Sequence, residues 1–142
     1  MRVLGLMSGT SADGVDAVLA SFEGPPRRPR WRLLSRAAVP YPNELHNRLI
    51  AAGQGQPLGA ADVLELGEAL TEIQAEAARA CDPDGRAELV GCHGQTLWHR
   101  PPSGQRRGSS WQLLHGPLLA ELLQRPVVFD FRAADLALGG QG

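Results

Sequence analysis

Gly5-Leu6-Met7-Ser8-Gly9-Thr10-Ser11-Ala12-Asp13-Gly14-Val15-Asp16-Ala17-Val18-Leu19 is a short apolar run that breaks into a turn rich in glycine, hydroxyls and carboxylates and then becomes apolar again. It reads as strand, turn, strand. Gly9 and Gly14 let backbone pass close to a ligand, while Ser8, Thr10 and Ser11 supply hydroxyl and amide donors. Asp13 and Asp16 can hold a metal-bound water or orient a donor. A Walker A loop is excluded because no Gly-Lys-Ser/Thr follows, and the dinucleotide Gly-x-Gly-x-x-Gly pattern opens a helix rather than a second strand. The pattern fits a β-hairpin whose turn clamps phosphate; a lone turn of this composition also reads as a solvated β-turn, and companion motifs must decide between the two.

The strands on either side run over Arg2 to Ser8 and Val15 to Phe22. A third, Trp31 to Val39, follows the break Gly24-Pro25-Pro26-Arg27-Arg28-Pro29-Arg30, so the chain begins with an antiparallel meander. The arginines of that break lie between two strands and read as a solvated hairpin loop rather than a nucleic-acid arm. Pro42 to Ala52 and Ala60 to Cys81 carry apolar residues at helical spacing, the second with Glu65, Glu68, Glu72 and Glu76 off the apolar stripe. Asp82-Pro83-Asp84-Gly85 stops that helix, and Glu88 to Cys92 is a short buried strand. Pro101 to Ser110 is a polar loop, Pro117 to Gln124 a short helix and Pro126 to Phe131 a last strand. A meander followed by alternating helices and strands predicts an α/β lobe, a mixed sheet of five to six strands with flanking helices.

A chain of 142 residues is one ordinary domain, long enough to bury roughly two-thirds of its unfolded surface. With 43% hydrophobic and 20% charged residues it is not disordered, and a net charge of −1 argues against nucleic acid or an anionic membrane as partner. No run approaches the ~20 apolar residues of a membrane span, and no basic, cleavable leader opens the chain, so a cytoplasmic protein is expected. Cys81 and Cys92 show no Cys-x-x-Cys spacing and read as reduced, packed thiols rather than a disulfide or zinc site. Gly139-Gly140-Gln141-Gly142 is an unusual close for a domain, and the natural chain is expected to continue.

Two later segments carry chemistry. Gly91-Cys92-His93-Gly94-Gln95-Thr96-Leu97-Trp98-His99 places His93 and Gln95 at a strand end, beside an aromatic face that suits a sugar ring. A histidine in that place also serves as a hydrogen-bonded structural residue. In Asp130-Phe131-Arg132-Ala133-Ala134-Asp135 the guanidinium of Arg132 forms an ion pair with a flanking carboxylate or meets a substrate carboxylate with two parallel bonds.

Together with Met7 to Asp16, the Gly-Cys-His-Gly-Gln-Thr block and the Asp-Phe-Arg-x-x-Asp…Gly-Gly-Gln-Gly block of Asp130 to Gly142 resemble, in order, three motifs of the anhydro-N-acetylmuramic acid kinases, within the actin, hexokinase and Hsp70 ATPase superfamily. The resemblance implies a ribonuclease H-like lobe and an enzyme that uses ATP, Mg²⁺ and water to open the 1,6-anhydro ring of its amino sugar and phosphorylate O6 during peptidoglycan recycling. It implies ATP contacts at Gly9, Thr10, Ser11, Ala12, Asp13, Gly14, Val15 and Asp16. Mg²⁺ is held through water by Asp13 or Asp16, by carboxylate chemistry. It further implies substrate contacts at His93, Gln95, Arg132 and Asp135. Members of the family are more than twice as long, so residues 1–142 correspond to the N-terminal lobe of a two-lobe sugar kinase. The family's catalytic aspartate, in a Gly-x-Asp-Thr-Gly-Pro-Gly-like motif, does not occur among these residues. Where a Gln-Ile-Gly-Asp is expected, this chain has Gln112-Leu113-Leu114-His115. The rival expectation is a non-catalytic nucleotide- or sugar-binding module of the same fold, and a homodimer of the full-length protein stays open.

Overall fold

The two apolar runs of the opening stretch become β1 (Arg2–Met7) and β2 (Gly14–Glu23), paired antiparallel from Arg2↔Ser21 to Met7↔Asp16. The computed structural model describes residues 1–142. Strand alternation sends Leu4 and Leu6 of β1, with Val15, Ala17 and Leu19 of β2, to one buried face. β3 (Arg30–Pro40) continues the meander antiparallel to β2, with a register shift at Leu19/Ala20. Helices α1 (Asn43–Gly53) and α2 (Ala60–Cys81) follow. On α2, Leu66, Leu70, Ala77 and Ala78 face the core and Glu65, Glu68, Glu72 and Glu76 face solvent, as the periodicity predicts. No helix is long and apolar enough to cross a membrane.

The corner after α2 is built on Asp82. Its Oδ2 accepts the Ala87 N–H at 2.7 Å and its Oδ1 accepts from Arg86 Nε at 3.3 Å. Burial pushes this carboxyl up, but those donors outweigh it and hold the group below the usual range. The corner delivers β4 (Leu89–Cys92) parallel to β1, from Val3↔Leu89 to Leu6↔Cys92. Next come β5 (Gln95–Arg100) and β6 (Ser109–Leu113), an antiparallel pair outside the main sheet, then α3 (Gly116–Leu123), β7 (Val127–Val128) and α4 (Ala133–Ala137). β7 lies parallel to β4, and the main sheet is five-stranded in the order β3-β2-β1-β4-β7. This is the expected mixed α/β architecture of a ribonuclease H-like lobe.

Three local expectations change. Residues 95–100 and 109–113, not foreseen as strands, form a hairpin in which Trp98 sits opposite Trp111, a cross-strand aromatic pair. The last strand shrinks from Pro126–Phe131 to two residues, because Asp130 takes a left-handed φ of 57° and bends the chain out of the sheet. The residues after that bend wind into the single turn of α4.

One face of the sheet is packed by α2 and holds the core. The other leaves Met7, Val18, Trp31, Leu33 and Val128 exposed, with Gly5 and Gly91 side by side at its centre. Gly14 opens β2 where only a glycine fits: an added Cβ would overlap the Val39 carbonyl oxygen and lie 2.8 Å from Pro40 Cα. Replacing Gly14 by Ala is therefore expected to cost about 1–3 kcal/mol. Gly53→Ala, whose Cβ would meet only the Leu97 carbonyl at 3.6 Å, is expected to be neutral or slightly stabilising. Denaturant melts compare the two, and an unchanged midpoint for Gly14→Ala would contradict the packing argument.

Candidate functional site

The β1–β2 turn draws its carbonyls inward. Ala12, 2% exposed, takes a left-handed φ of 54° and donates its N–H to the Gly9 carbonyl at 3.1 Å. The Gly9 oxygen also accepts Gln95 Nε2–H at 2.9 Å, the Ala12 oxygen accepts from His46 Nδ1 at 2.8 Å, and the Asp13 oxygen accepts the Tyr41 N–H at 3.0 Å. A carbonyl only accepts, so His46 carries its proton on Nδ1. In contrast, the N–H groups of Gly9, Thr10, Ser11 and Asp13 find no acceptor within the chain. The turn lines an open cleft of about 350 Å³ with Gly9, Ser11, Asp13, Gly14 and Asp16 on its wall. Unpaired amides around a tight turn make an anion site. Asp13 and Asp16, exposed on the same wall, are hard oxygen donors of the type that holds Mg²⁺, directly or through water.

A buried polar chain supports the turn from beneath. Ser8 Oγ and Tyr41 Oη lie 2.6 Å apart, Gln74 Nε2–H donates to Ser8 Oγ at 3.1 Å, and Cys92 Sγ–H donates to Gln74 Oε1 at 3.5 Å. All four side chains are buried. Burial pushes the Tyr41 hydroxyl up to about 12, the Ser8 bond only partly opposing it. Burial likewise raises the Cys92 thiol to about 11. Cys81 and Cys92 are both free.

A second cleft of about 350 Å³ lies against the same turn, walled by Thr10 and Ala12, by Ile50 of α1 and Gln54 just after it, and by Gln95 and Trp98 of β5. Gln95 is 1% exposed and its Oε1 has no partner. A buried acceptor left free asks for a donor from a ligand or water. His93 is half-buried; its ring donates from Nδ1 to the Gly94 carbonyl at 3.0 Å and its backbone N–H to the Leu6 carbonyl.

Arg132 and Asp135 stand apart, at the start of α4 and within it. Asp135 Oδ2 accepts the Gly142 N–H at 2.7 Å, and Arg132 Nη2 reaches the Gly142 carbonyl at 3.5 Å. The ion pair considered for Arg132 does not form: the chain's ion pairs are Arg2–Glu88, Arg48–Glu65 and Arg86 with Asp82 and Asp84. The fold thus gathers Gly9 to Asp16 and Gln95, while no hydrogen bond or ion pair ties Arg132 or Asp135 to them. Tyr41, His46 and Gln74 entered the site without notice in the sequence. Each sits in a segment read for its apolar spacing, and no motif marks it.

The lobe's five-stranded mixed sheet with flanking helices is consistent with the fold of actin, hexokinase and Hsp70. The whole chain, residues 1–142, matches the family model described as anhydro-N-acetylmuramic acid kinase, and the chain belongs to that family. It is 70% identical over 142 residues to the anhydro-N-acetylmuramic acid kinase of Synechococcus sp. (strain CC9605). Identity is 66% to that of Prochlorococcus marinus (strain MIT 9313) and 56% to that of Prochlorococcus marinus (strain MIT 9211). All of this chain is aligned in each case, and it spans 38% of the length of these relatives.

The raised hydroxyl and thiol predict an alkaline weakness. Both groups hold their protons more tightly folded than unfolded, so their stabilisation is whole below the ordinary thiol value of 9.0. It is lost as pH rises through about 11 for Cys92 and about 12 for Tyr41. Denaturant midpoints measured across this range are expected to fall, and Cys92→Ala to remove the lower part of the fall. A wild-type profile that stays flat to pH 11 would contradict it.

Proposed function

We propose that this chain is the N-terminal lobe of a two-lobe, cytoplasmic anhydro-N-acetylmuramic acid kinase acting in peptidoglycan recycling. In this reaction water adds to C1 of the amino sugar, the C1–O6 bond breaks, and O6 takes the γ-phosphoryl group of ATP. The products are ADP and N-acetylmuramic acid 6-phosphate. The observation that carries the reading is the turn from Gly9 to Asp13, whose free N–H groups stand beside two carboxylates.

Phosphoryl transfer rests on positioning and on neutralising phosphate charge rather than on covalent help from the protein. The amides of Gly9, Thr10, Ser11 and Asp13 bind phosphate oxygens, and Ala12, Gly14 and Val15 shape the wall behind them. Asp13 or Asp16 would hold Mg²⁺ through water, and the ion when bound would offset the negative charge of the phosphates. The second cleft takes the sugar. Gln95 Oε1 accepts a hydrogen bond from a sugar hydroxyl or amide, Trp98 offers an apolar face, and His93 borders the strand end from which Gln95 projects. Arg132 binds the lactyl carboxylate of the sugar, with Asp135 orienting the segment. The aspartate that activates water comes from the second lobe, and the exposed apolar sheet face around Gly5 and Gly91 supports the presence of such a companion.

Titration calorimetry on the full-length protein separates the two roles. Asp13→Asn is expected to weaken ATP binding about tenfold and leave the sugar unaffected, and Arg132→Ala to weaken the sugar about tenfold and leave ATP unaffected. Wild-type affinities for both ligands in both variants would remove the assignment. The segment 1–142 alone is expected to release no ADP when sugar is added, and turnover by it would refute the need for a second lobe.

A further inference from the structure

We infer that His46 is a positioning residue that aims the phosphate-binding amides of the β1–β2 turn; the inference rests on the phosphate reading of that turn. A trans peptide directs its C=O and its N–H to opposite sides of one plane. Anchoring a carbonyl therefore orients the next residue's amide. Gln95 anchors the Gly9 carbonyl, which sends the Thr10 N–H the other way, and His46 anchors the Ala12 carbonyl, which does the same for the Asp13 N–H.

The two anchors are not equivalent. The Gly9 carbonyl has a second donor, the Ala12 N–H, and keeps its direction without Gln95. The Ala12 carbonyl has His46 alone. It also belongs to a residue with a Cβ in the left-handed region, a conformation that persists only where its surroundings hold it. His46 can hold it because its own helix is fixed: Leu45 and Leu49 on either side of it are buried in the core. Without the imidazole the Ala12–Asp13 peptide is free to rotate, and the Asp13 amide and carboxylate lose their common direction on the wall of the phosphate cleft. Further along, Ile50 of α1 and Gln54 at its C-terminal end line the second cleft, so one helix sets the turn and bounds the neighbouring pocket.

The test uses the full-length protein, with ATP and with the anhydro amino sugar as probes in separate titrations. His46→Ala is expected to raise the Kd for ATP about tenfold and to change that for the sugar less than twofold. His46→Asn, whose side-chain amide stands where Nδ1 stands, is expected to restore most of the ATP affinity. Should the alanine variant not fold, His46→Leu keeps the packing and removes only the donor. Hydrogen exchange at the Ala12 amide, the one hydrogen-bonded N–H of the turn, is expected to speed up in the donor-less variants and not in His46→Asn. Wild-type ATP affinity in His46→Ala or His46→Leu overturns the inference, as does an equal loss of both ligands with no rescue by Asn, which would mark a merely structural role. If Asp13→Asn weakens ATP binding and the His46 variants do not, only this inference falls; if the wild type binds no ATP, it falls together with the phosphate reading.

Discussion

The buried hydrogen-bonded chain from Tyr41 through Ser8 and Gln74 to Cys92 is the constraint on which the site depends. Its members come from the end of β1, the segment before α1, the middle of α2 and the end of β4. Apolar contacts between these elements would tolerate small slides, because hydrophobic burial has no direction. Hydrogen bonds do not tolerate them, and a buried polar atom left without its partner costs about 1–3 kcal/mol. The polar chain therefore pins the last residue before the turn to the helix layer and to the neighbouring strand. The turn begins at the very next residue and inherits that position.

Charge follows from the same burial. Tyr41 and Cys92 keep their protons across the physiological range, so the layer beneath the turn is neutral and supplies nothing to offset the partial positive charge of the free amides above it. The wall of the cleft thus combines amides that attract an anion with two carboxylates that repel it. A surface of that composition suits an anion that brings a divalent cation with it, which the hard carboxylate oxygens of Asp13 and Asp16 would hold.

The sequence carries the scaffold where its signals are local. Strand alternation from Leu4 to Leu19, glycine and proline punctuation at Gly24 to Pro29, and the helical spacing of Leu66, Leu70 and Ala77 each depend on neighbours a few residues away, and the structure agrees with all three. The β5–β6 hairpin is not legible because its strands are short and rich in polar residues, and only the pairing of Trp98 with Trp111 across the connection of residues 101–108 marks them. The turn itself is legible as a tight, ligand-sized turn from its glycines and hydroxyls. Its supports are not. His46 acts on Ala12 and Gln74 on Ser8 across separations of 34 and 66 residues, and no period or motif encodes such a meeting. Gln95 shows the same limit from the other side: read as a ligand contact, it spends its amide hydrogens on the Gly9 and Thr96 carbonyls and has only its oxygen left to offer.

One geometric fact gives the arrangement its sense. The two clefts share a wall a single turn thick, Gly9, Ser11 and Asp13 facing one and Thr10 and Ala12 the other. Transfer of a phosphoryl group needs donor and acceptor held at a set distance and in line, and most of the catalytic gain comes from that placement. A partition built from a tight turn is well suited to the task, since its thickness is set by backbone covalent geometry rather than by side chains that can rotate. Its carbonyls are tied down by α1 from one side and by β5 from the other. The same two hydrogen bonds therefore restrain the partition as seen from either cleft, and its thickness is a property of the fold.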